Sequence, residues 1–362
     1  MRFRLLLLTV LLFPACATDD SAPTASGGSA TTALTTTSLT TTVLSTVVLP
    51  TTVPSTTVLP TTVLPTTVLP TTVAPGGIAR TIDSSVTTPD GLARTYRIYV
   101  PASLPGGPVP LVLAFHGGTG SGKQFQFTSG LDVLAEQNGF LVVYPDGTGA
   151  AADGTGARTW NAGYCCGAAE RNEIDDVGFV RLLIDTIESQ YDIDPGRVFA
   201  LGHSNGGMLS YRLACELSDR IVAVALQAGS LGIDSCTPTA PVALLHIHGT
   251  ADANHPIEGG VGEKSIAGVD FRSADFSVRT TAAAMGCVSE PSRSTDAGNP
   301  DLAVSTWAPC DRGVMVQLIA VRGATHAWMG HPTPNPGADP PYQDLDASAV
   351  AVSFLLTYSR WG

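Results

Sequence analysis

The sequence predicts an α/β domain built on a mostly parallel sheet with helices on both faces, preceded by a disordered stalk. Three features predict it. From Ile78 onward, short apolar runs alternate with stretches of helical pattern, as in successive βαβ units. The runs are continuously apolar instead of alternating, as strands buried on both faces must be. Upstream, the segment from Ser21 to Ala79 holds no charged residue and is dominated by Thr, Ser, Pro and Val, a composition unsuited to a packed core.

The chain opens with a basic run, Met1-Arg2-Phe3-Arg4, and an apolar stretch from Leu5 to Phe13, too short to span a bilayer and suited to an export signal. It ends in Pro14-Ala15-Cys16, similar to the lipobox of bacterial lipoproteins, whose cysteine becomes the lipidated first residue. Phe13 stands where that pattern has leucine, so plain secretion is the alternative. Residues 1-16 are expected to be a signal peptide with Cys16 as lipidation site, and export is expected either way. Between Leu49 and Val73 a five-residue unit, Leu-Pro-Thr-Thr-Val, starts at Leu49, Leu59, Leu64 and Leu69, with a variant at Pro54. Regular prolines exclude a helix and remove ladder donors, so residues 17-77 are expected to form an extended stalk, open to O-glycosylation. At roughly 3.1 Å per residue such a segment reaches on the order of 100 Å or more.

The domain expected over residues 78-362 suits one large unit. Leader and stalk carry two arginines and two aspartates, which leaves the whole net charge of −12 on the domain. That balance argues against nucleic acid or an anionic membrane surface as partner and fits neutral substrates. A monomer is expected, touching a membrane only through the N-terminal lipid. Cys16 aside, six cysteines remain in an exported chain, which points to disulfides. Cys287 and Cys310 bracket a Pro/Ser/Asp-rich insertion. Cys215–Cys236 is a reasonable second bridge, which leaves adjacent Cys165 and Cys166 as a vicinal pair or in exchange with the others. No C-x-x-C or H-E-x-x-H spacing suggests a metal.

Along the domain, Arg94 to Val100, Pro110 to His116 and Phe140 to Tyr144 read as strands, and Leu131 to Gln137 as a helix stopped by Asn138-Gly139. Pro145 opens a long Gly/Ala-rich loop with Trp160. Asp175-Asp176 then cap a helix bearing Phe179, Leu182, Leu183 and Ile187, the carboxylates favoured at its positive end. Strands follow at Val198, Ile221 to Leu226, Val242 to His248 and Val314 to Val321, and a helix from Asp344 to Tyr358 closes the chain.

Between the strand at Val198 and a helix from Met208 to Cys215 stands Gly202-His203-Ser204-Asn205-Gly206-Gly207. A G-x-S-x-G in that setting is the pattern of a nucleophile elbow, whose serine stands exposed above the sheet edge. A serine hydroxyl needs a base to take its proton, and the base needs a third group to orient it. With the order Ser, acid, His, His326 is the candidate base, in the loop after a strand end, where ligands gather in such sheets. Asp252, four residues past the preceding strand, is the candidate acid, ahead of Glu258, Glu263 and Asp270 in a Gly-rich loop. His246 and His248, two apart on a strand, read as structural. The oxyanion donors are expected to be the amides of Asn205 and of Gly118 in His116-Gly117-Gly118-Thr119, with Thr119 second. Trp160 and Trp328 are candidates to line the acyl site.

Taken in order, Leu111 to Gly118, Asp175 to Phe179, Gly202 to Gly207, His248 to Asp252 and Gly323 to Trp328 resemble the exported esterases grouped with polyhydroxybutyrate depolymerases, feruloyl esterases and acetylxylan esterases. The resemblance covers Ile78 to Tyr358. It implies an α/β-hydrolase fold, no metal or organic cofactor, and a serine esterase with Ser204, His326 and Asp252 as its triad. Ala324-Thr325 and Met329 depart from the glycines and proline common in the group. No polymer-binding module is expected after the domain, and specificity is expected in loops 146 to 172 and 253 to 275. The rival readings are an amidase or peptidase with the same triad, and a tethered envelope-binding lipoprotein that keeps the fold without turnover.

Overall fold

A computed structural model describes residues 77–151, 154–333 and 337–361. The expected leader with Cys16, and the stalk up to residue 76, lie outside the described residues. The described strands form one ten-stranded sheet: β1 (Arg80–Thr87), β2 (Ala93–Val100), β3 (Val109–Phe115), β4 (Leu141–Pro145), β5 (Ile193–His203), β6 (Ala223–Gln227), β7 (Ala243–Gly249), β8 (Ser292–Thr295), β9 (Leu302–Trp307) and β10 (Val316–Val321). Their spatial order is β1-β2-β4-β3-β5-β6-β7-β10-β9-β8. The pairs from β4 through β7 to β10 are parallel, while β1–β2, β2–β4, β10–β9 and β9–β8 are antiparallel.

The helices are α1 (Gly122–Ser129), α2 (Leu131–Asn138), α3 (Gly167–Arg171), α4 (Asp176–Glu188), α5 (Asn205–Glu216), α6 (Ala274–Ala284) and α7 (Ala347–Leu356). Every residue of β3, β4, β6 and β7 is buried, as the unbroken apolar runs require when both faces are covered. This central parallel sheet flanked by helices, with a serine at the β5–α5 turn, is the α/β-hydrolase architecture. Leu111, Leu113, Phe115, Phe199 and Leu201 are among the side chains sealed in the core between sheet and helices.

The sequence pattern does not mark α1, α3 and α6, and three further features differ from the expectation drawn from it. β1 is an edge strand that sequence alone did not mark, because its residues are mostly exposed and polar. The Cys287–Cys310 insertion folds as the β8–β9 hairpin and lengthens the sheet at its other edge. Asp175 caps α4 as expected, accepting from the Gly178 amide at 2.8 Å. Asp176, however, turns inward and meets Arg94 Nη2 at 2.7 Å with both side chains buried. Burial pushes its carboxyl above the ordinary value, and the Arg94 charge opposes that push. The Arg94 guanidinium also lies over the Phe179 ring, 3.9 Å from its centre. The disulfides are Cys215–Cys236, Cys287–Cys310 and the vicinal Cys165–Cys166.

Candidate active site

β5 runs directly into α5, and the turn between them holds Ser204 at φ 55° and ψ −120°, a region that costs a non-glycine residue about 1–3 kcal/mol. The surrounding glycines make the turn possible. A Cβ on Gly202 would collide with the backbone of Gly206, and one on Gly206 with the carbonyls of Phe115 and His116. The Ser204 amide donates to the Gln227 carbonyl at 2.9 Å, and its carbonyl accepts from the Met208 amide at 2.9 Å, so the strained residue is held from both sides.

Three residues far apart in sequence meet at this turn. His326 Nε2 lies 3.0 Å from Ser204 Oγ, and His326 Nδ1 lies 2.7 Å from Asp252 Oδ2. A carboxylate only accepts, so Nδ1 carries the ring proton and Nε2 is free to accept the serine's. Asp252 Oδ1 takes the amides of Asn254 at 2.9 Å and His255 at 2.8 Å, and its side chain is wholly buried. Burial raises the Asp252 carboxyl, but the hydrogen bond and charge of His326 outweigh it, and the net position is below the ordinary value. Asp252 therefore stays ionised. The rival acids Glu258, Glu263 and Asp270 are exposed, and none of them bonds His326.

Two residues that sequence reasoning passed over fix the loop carrying His326. His203 Nε2 donates to the His326 carbonyl at 2.8 Å. Its imidazole is pushed down to about 3, first by burial and then by the charge of His326, so it serves as a neutral donor. Gln227, at the end of β6, donates to the Ala327 carbonyl at 2.9 Å and accepts from the Met329 amide at 3.1 Å. The available signal was a glutamine ending an otherwise apolar strand.

On the other side of Ser204 lies the loop after β3. The Thr119 amide is already used, donating to the Arg158 carbonyl at 2.7 Å, whereas the Gly118 amide has no acceptor among the described residues. Asn205 is the first residue of α5, so its amide has no intrahelical partner either. His116 staples this loop in place. Its Nδ1 donates to the Gly117 carbonyl at 2.7 Å, and its Nε2 accepts from the Gly147 amide at 2.9 Å. Burial is the main reason its imidazole drops to about 4.

The structure corrects the placing of Trp160. Its ring is fully buried, edge-on to Phe115 at 5.4 Å, and its Nε1 donates to the His116 carbonyl at 2.9 Å. It lines no part of the cleft, because the Gly/Ala-rich loop folds its bulkiest residue under itself. Its backbone is instead clasped by the Asn205 side chain, with the Trp160 amide donating to Oδ1 at 2.7 Å and Nδ2 donating to the Trp160 carbonyl at 3.0 Å. The next residue is tied down too, the Asn161 amide donating to Asp176 Oδ2 at 2.7 Å. Just before them, Thr148 and Thr159 exchange backbone hydrogen bonds of 2.9 and 3.0 Å.

Ser204 and His326 stand where two cavities of about 420 and 430 Å³ meet. The first is walled by Phe125, Gln124, His203, Ala327 and Trp328. Trp328 thus faces the cleft, held edge-on to Phe125 at 5.3 Å with its Nε1 donating to Ser348 Oγ at 2.9 Å. The second is walled by Met208, Cys166, Thr159, His255, Ile266 and Phe271. His246 and His248 are buried behind it in a relay. The Tyr211 hydroxyl meets His246 Nδ1 at 2.9 Å, His246 Nε2 meets His248 Nδ1 at 2.9 Å, and His248 Nε2 donates to the His255 carbonyl at 2.8 Å. Among the described residues no group of three or more His, Cys, Asp or Glu is placed to hold a metal.

Residues 94–272 match the family described as esterase PHB depolymerase. Over 225 residues the chain is 32% identical to feruloyl esterase B of Piromyces equi, covering 60% of this chain and 39% of that protein. It is 27% identical over 240 residues to the bifunctional acetylxylan esterase/xylanase XynS20E of Neocallimastix patriciarum, covering 66% and 31%. The chain thus spans well under half the length of these two relatives. It is 30% identical over 283 residues to NocK of Nocardia uniformis subsp. tsuyamanensis, assigned as an esterase, covering 74% of this chain and 80% of that protein. With that relative matched over most of both chains, and the family's pattern extending from β2 through β7 and so over the serine turn, the protein belongs to the esterase PHB depolymerase family.

Proposed function

We propose that the protein hydrolyses carboxylic esters through an acyl-enzyme on Ser204. The observation that carries this is the continuous hydrogen-bonded line from Ser204 Oγ through the His326 ring to the buried Asp252 carboxylate. Ser204 Oγ attacks the ester carbonyl while His326 Nε2 takes its proton, and Asp252 stabilises the imidazolium. The unpartnered amides of Gly118 and Asn205 receive the oxyanion, where preorganised donors act without reorganisation. His326 then hands the proton to the departing alcohol, and water repeats the sequence on the acyl-enzyme. The chemistry needs no cofactor.

The substrate we propose is a polyhydroxyalkanoate-type polyester or an ester-substituted polysaccharide, in keeping with the names of the relatives. The three disulfides suit an oxidising compartment, and with the basic–apolar start of the chain they support export of a catalytic domain over residues 78-362 on the Thr/Pro-rich segment, with lipidation at Cys16 and plain secretion as the two routes. Ser204→Ala is expected to abolish p-nitrophenyl butyrate hydrolysis and fluorophosphonate labelling with the circular dichroism spectrum unchanged. Labelling that survives the substitution, or native protein that takes no label, refutes the proposal.

A further inference from the structure

The second cavity contains a polar group that the triad chemistry leaves unused. His255 is 2% exposed and stands on the cavity wall with Ser204, Asn205 and His326. Neither nitrogen of its ring has a hydrogen-bond partner among the described residues, and Nε2 is a buried orphan. Its backbone is spoken for on both sides, the amide donating to Asp252 Oδ1 at 2.8 Å and the carbonyl accepting from His248 Nε2 at 2.8 Å. The ring plane is set by Phe271, stacked at 3.8 Å and 17°. This imidazole is therefore rigidly held, and burial keeps it neutral by lowering its proton affinity well below the ordinary value.

Buried polar atoms in folded proteins are normally satisfied, and an imidazole with unsatisfied nitrogens standing on the wall of a reaction cleft points to a ligand as the missing partner. A neutral imidazole with both nitrogens free offers one donor and one acceptor. A hydroxyl complements either tautomer, accepting from the N–H or donating to the bare nitrogen. The neighbouring wall of Met208, Phe271, Ile266 and the Cys165–Cys166 disulfide is apolar and suits the carbon skeleton that bears such a hydroxyl.

We propose that His255 is a specificity-determining residue that reads a hydroxyl group on the substrate, so that the second cavity selects hydroxyl-bearing esters over their deoxy counterparts. The inference rests on the esterase reading above. A site built to pair a hydroxyl discriminates strongly against the analogue lacking it, because the buried partner is then stranded.

The test uses three ester pairs that differ by one hydroxyl, followed by pH-stat. They are methyl butyrate with methyl 3-hydroxybutyrate, methyl cinnamate with methyl 4-hydroxycinnamate, and ethyl butyrate with 2-hydroxyethyl butyrate. The first two pairs place the hydroxyl on the acyl side and the third on the alcohol side. In at least one pair the native protein is expected to favour the hydroxylated member by about tenfold or more in kcat/KM, the effect of one well-placed hydrogen bond. His255→Phe, which keeps the ring and its stack, is expected to bring that ratio close to one, mainly through a higher KM for the hydroxylated ester. His255→Gln, which restores a donor and an acceptor, is expected to recover part of it. A native ratio near one in all three pairs overturns the proposal without recourse to any variant, as does a ratio that persists in His255→Phe. Failure of the native protein to turn over any of the six esters overturns the esterase reading and this inference with it.

Discussion

Lowering the pH from 7.5 to 5.5 is expected to destabilise the domain strongly, and the cause is its buried imidazoles. His116 falls to about 4 and His203 to about 3, and His246 and His255 lie well below the ordinary histidine value, in every case with burial as the first cause. A histidine whose affinity for protons is depressed by folding stabilises the native state above its unfolded value, near 6.5, and loses that contribution as pH falls towards the folded one, because the unfolded chain binds the proton and the native chain does not. Between pH 7.5 and 5.5 each such group costs about 1.4 kcal/mol, and the four together roughly 5–6 kcal/mol. The raised carboxyls of Asp132 and Asp176 act with the opposite sign and take part of this back, while His248, also lowered by burial, adds to the loss. A loss of that size is comparable to the whole stability of an ordinary domain, about 5–15 kcal/mol. Urea unfolding of the oxidised protein at pH 7.5, 6.5 and 5.5 measures it. A free energy of unfolding that changes by less than about 1 kcal/mol over this range refutes the assignment of neutral buried imidazoles.

Two substitutions test the supports around the site. Gln227→Ala strands the Ala327 carbonyl and the Met329 amide that the side chain now satisfies, so it is expected to cost about 2–4 kcal/mol of stability and to lower kcat more than it changes KM; an unaltered kcat means that the His326 loop holds itself. Arg94→Met leaves the Asp176 carboxylate buried without its cation, at an expected cost of about 3–5 kcal/mol in urea unfolding, and a cost below about 1 kcal/mol contradicts the buried ion pair.

Much of this architecture was legible in sequence because the central strands leave no choice. Val109–Phe115 and Ala243–Gly249 are apolar throughout, apart from histidines that find one another. The glycines around Ser204 announce a turn that admits no side chains. What stayed hidden has two physical causes. Edge elements such as β1 and β8 are mostly exposed, and β9 is largely half-buried, so their composition reads as loop. Supporting contacts join residues 100 or more positions apart, as Gln227 with Ala327 and His203 with His326 do, and no local pattern encodes them. Trp160 was misplaced because a tryptophan in a Gly-rich loop suits a cleft wall and a core equally, and only the clasp of Asn205 on its backbone decides between them.

That clasp draws a line between what is free to vary and what is not. The chain between Thr148 and Thr159 contributes Ala150 and Ala157 to the second cavity, yet it springs from a closed backbone pair, and the two residues after it are bolted to Asn205 and Asp176. The excursion also touches the oxyanion loop directly, the Arg158 carbonyl accepting from the Thr119 amide at 2.7 Å, so its last residue belongs with the fixed part. Substitutions at Ala150 or Ala157 are expected to shift the preference of the second cavity while the serine turn keeps its geometry.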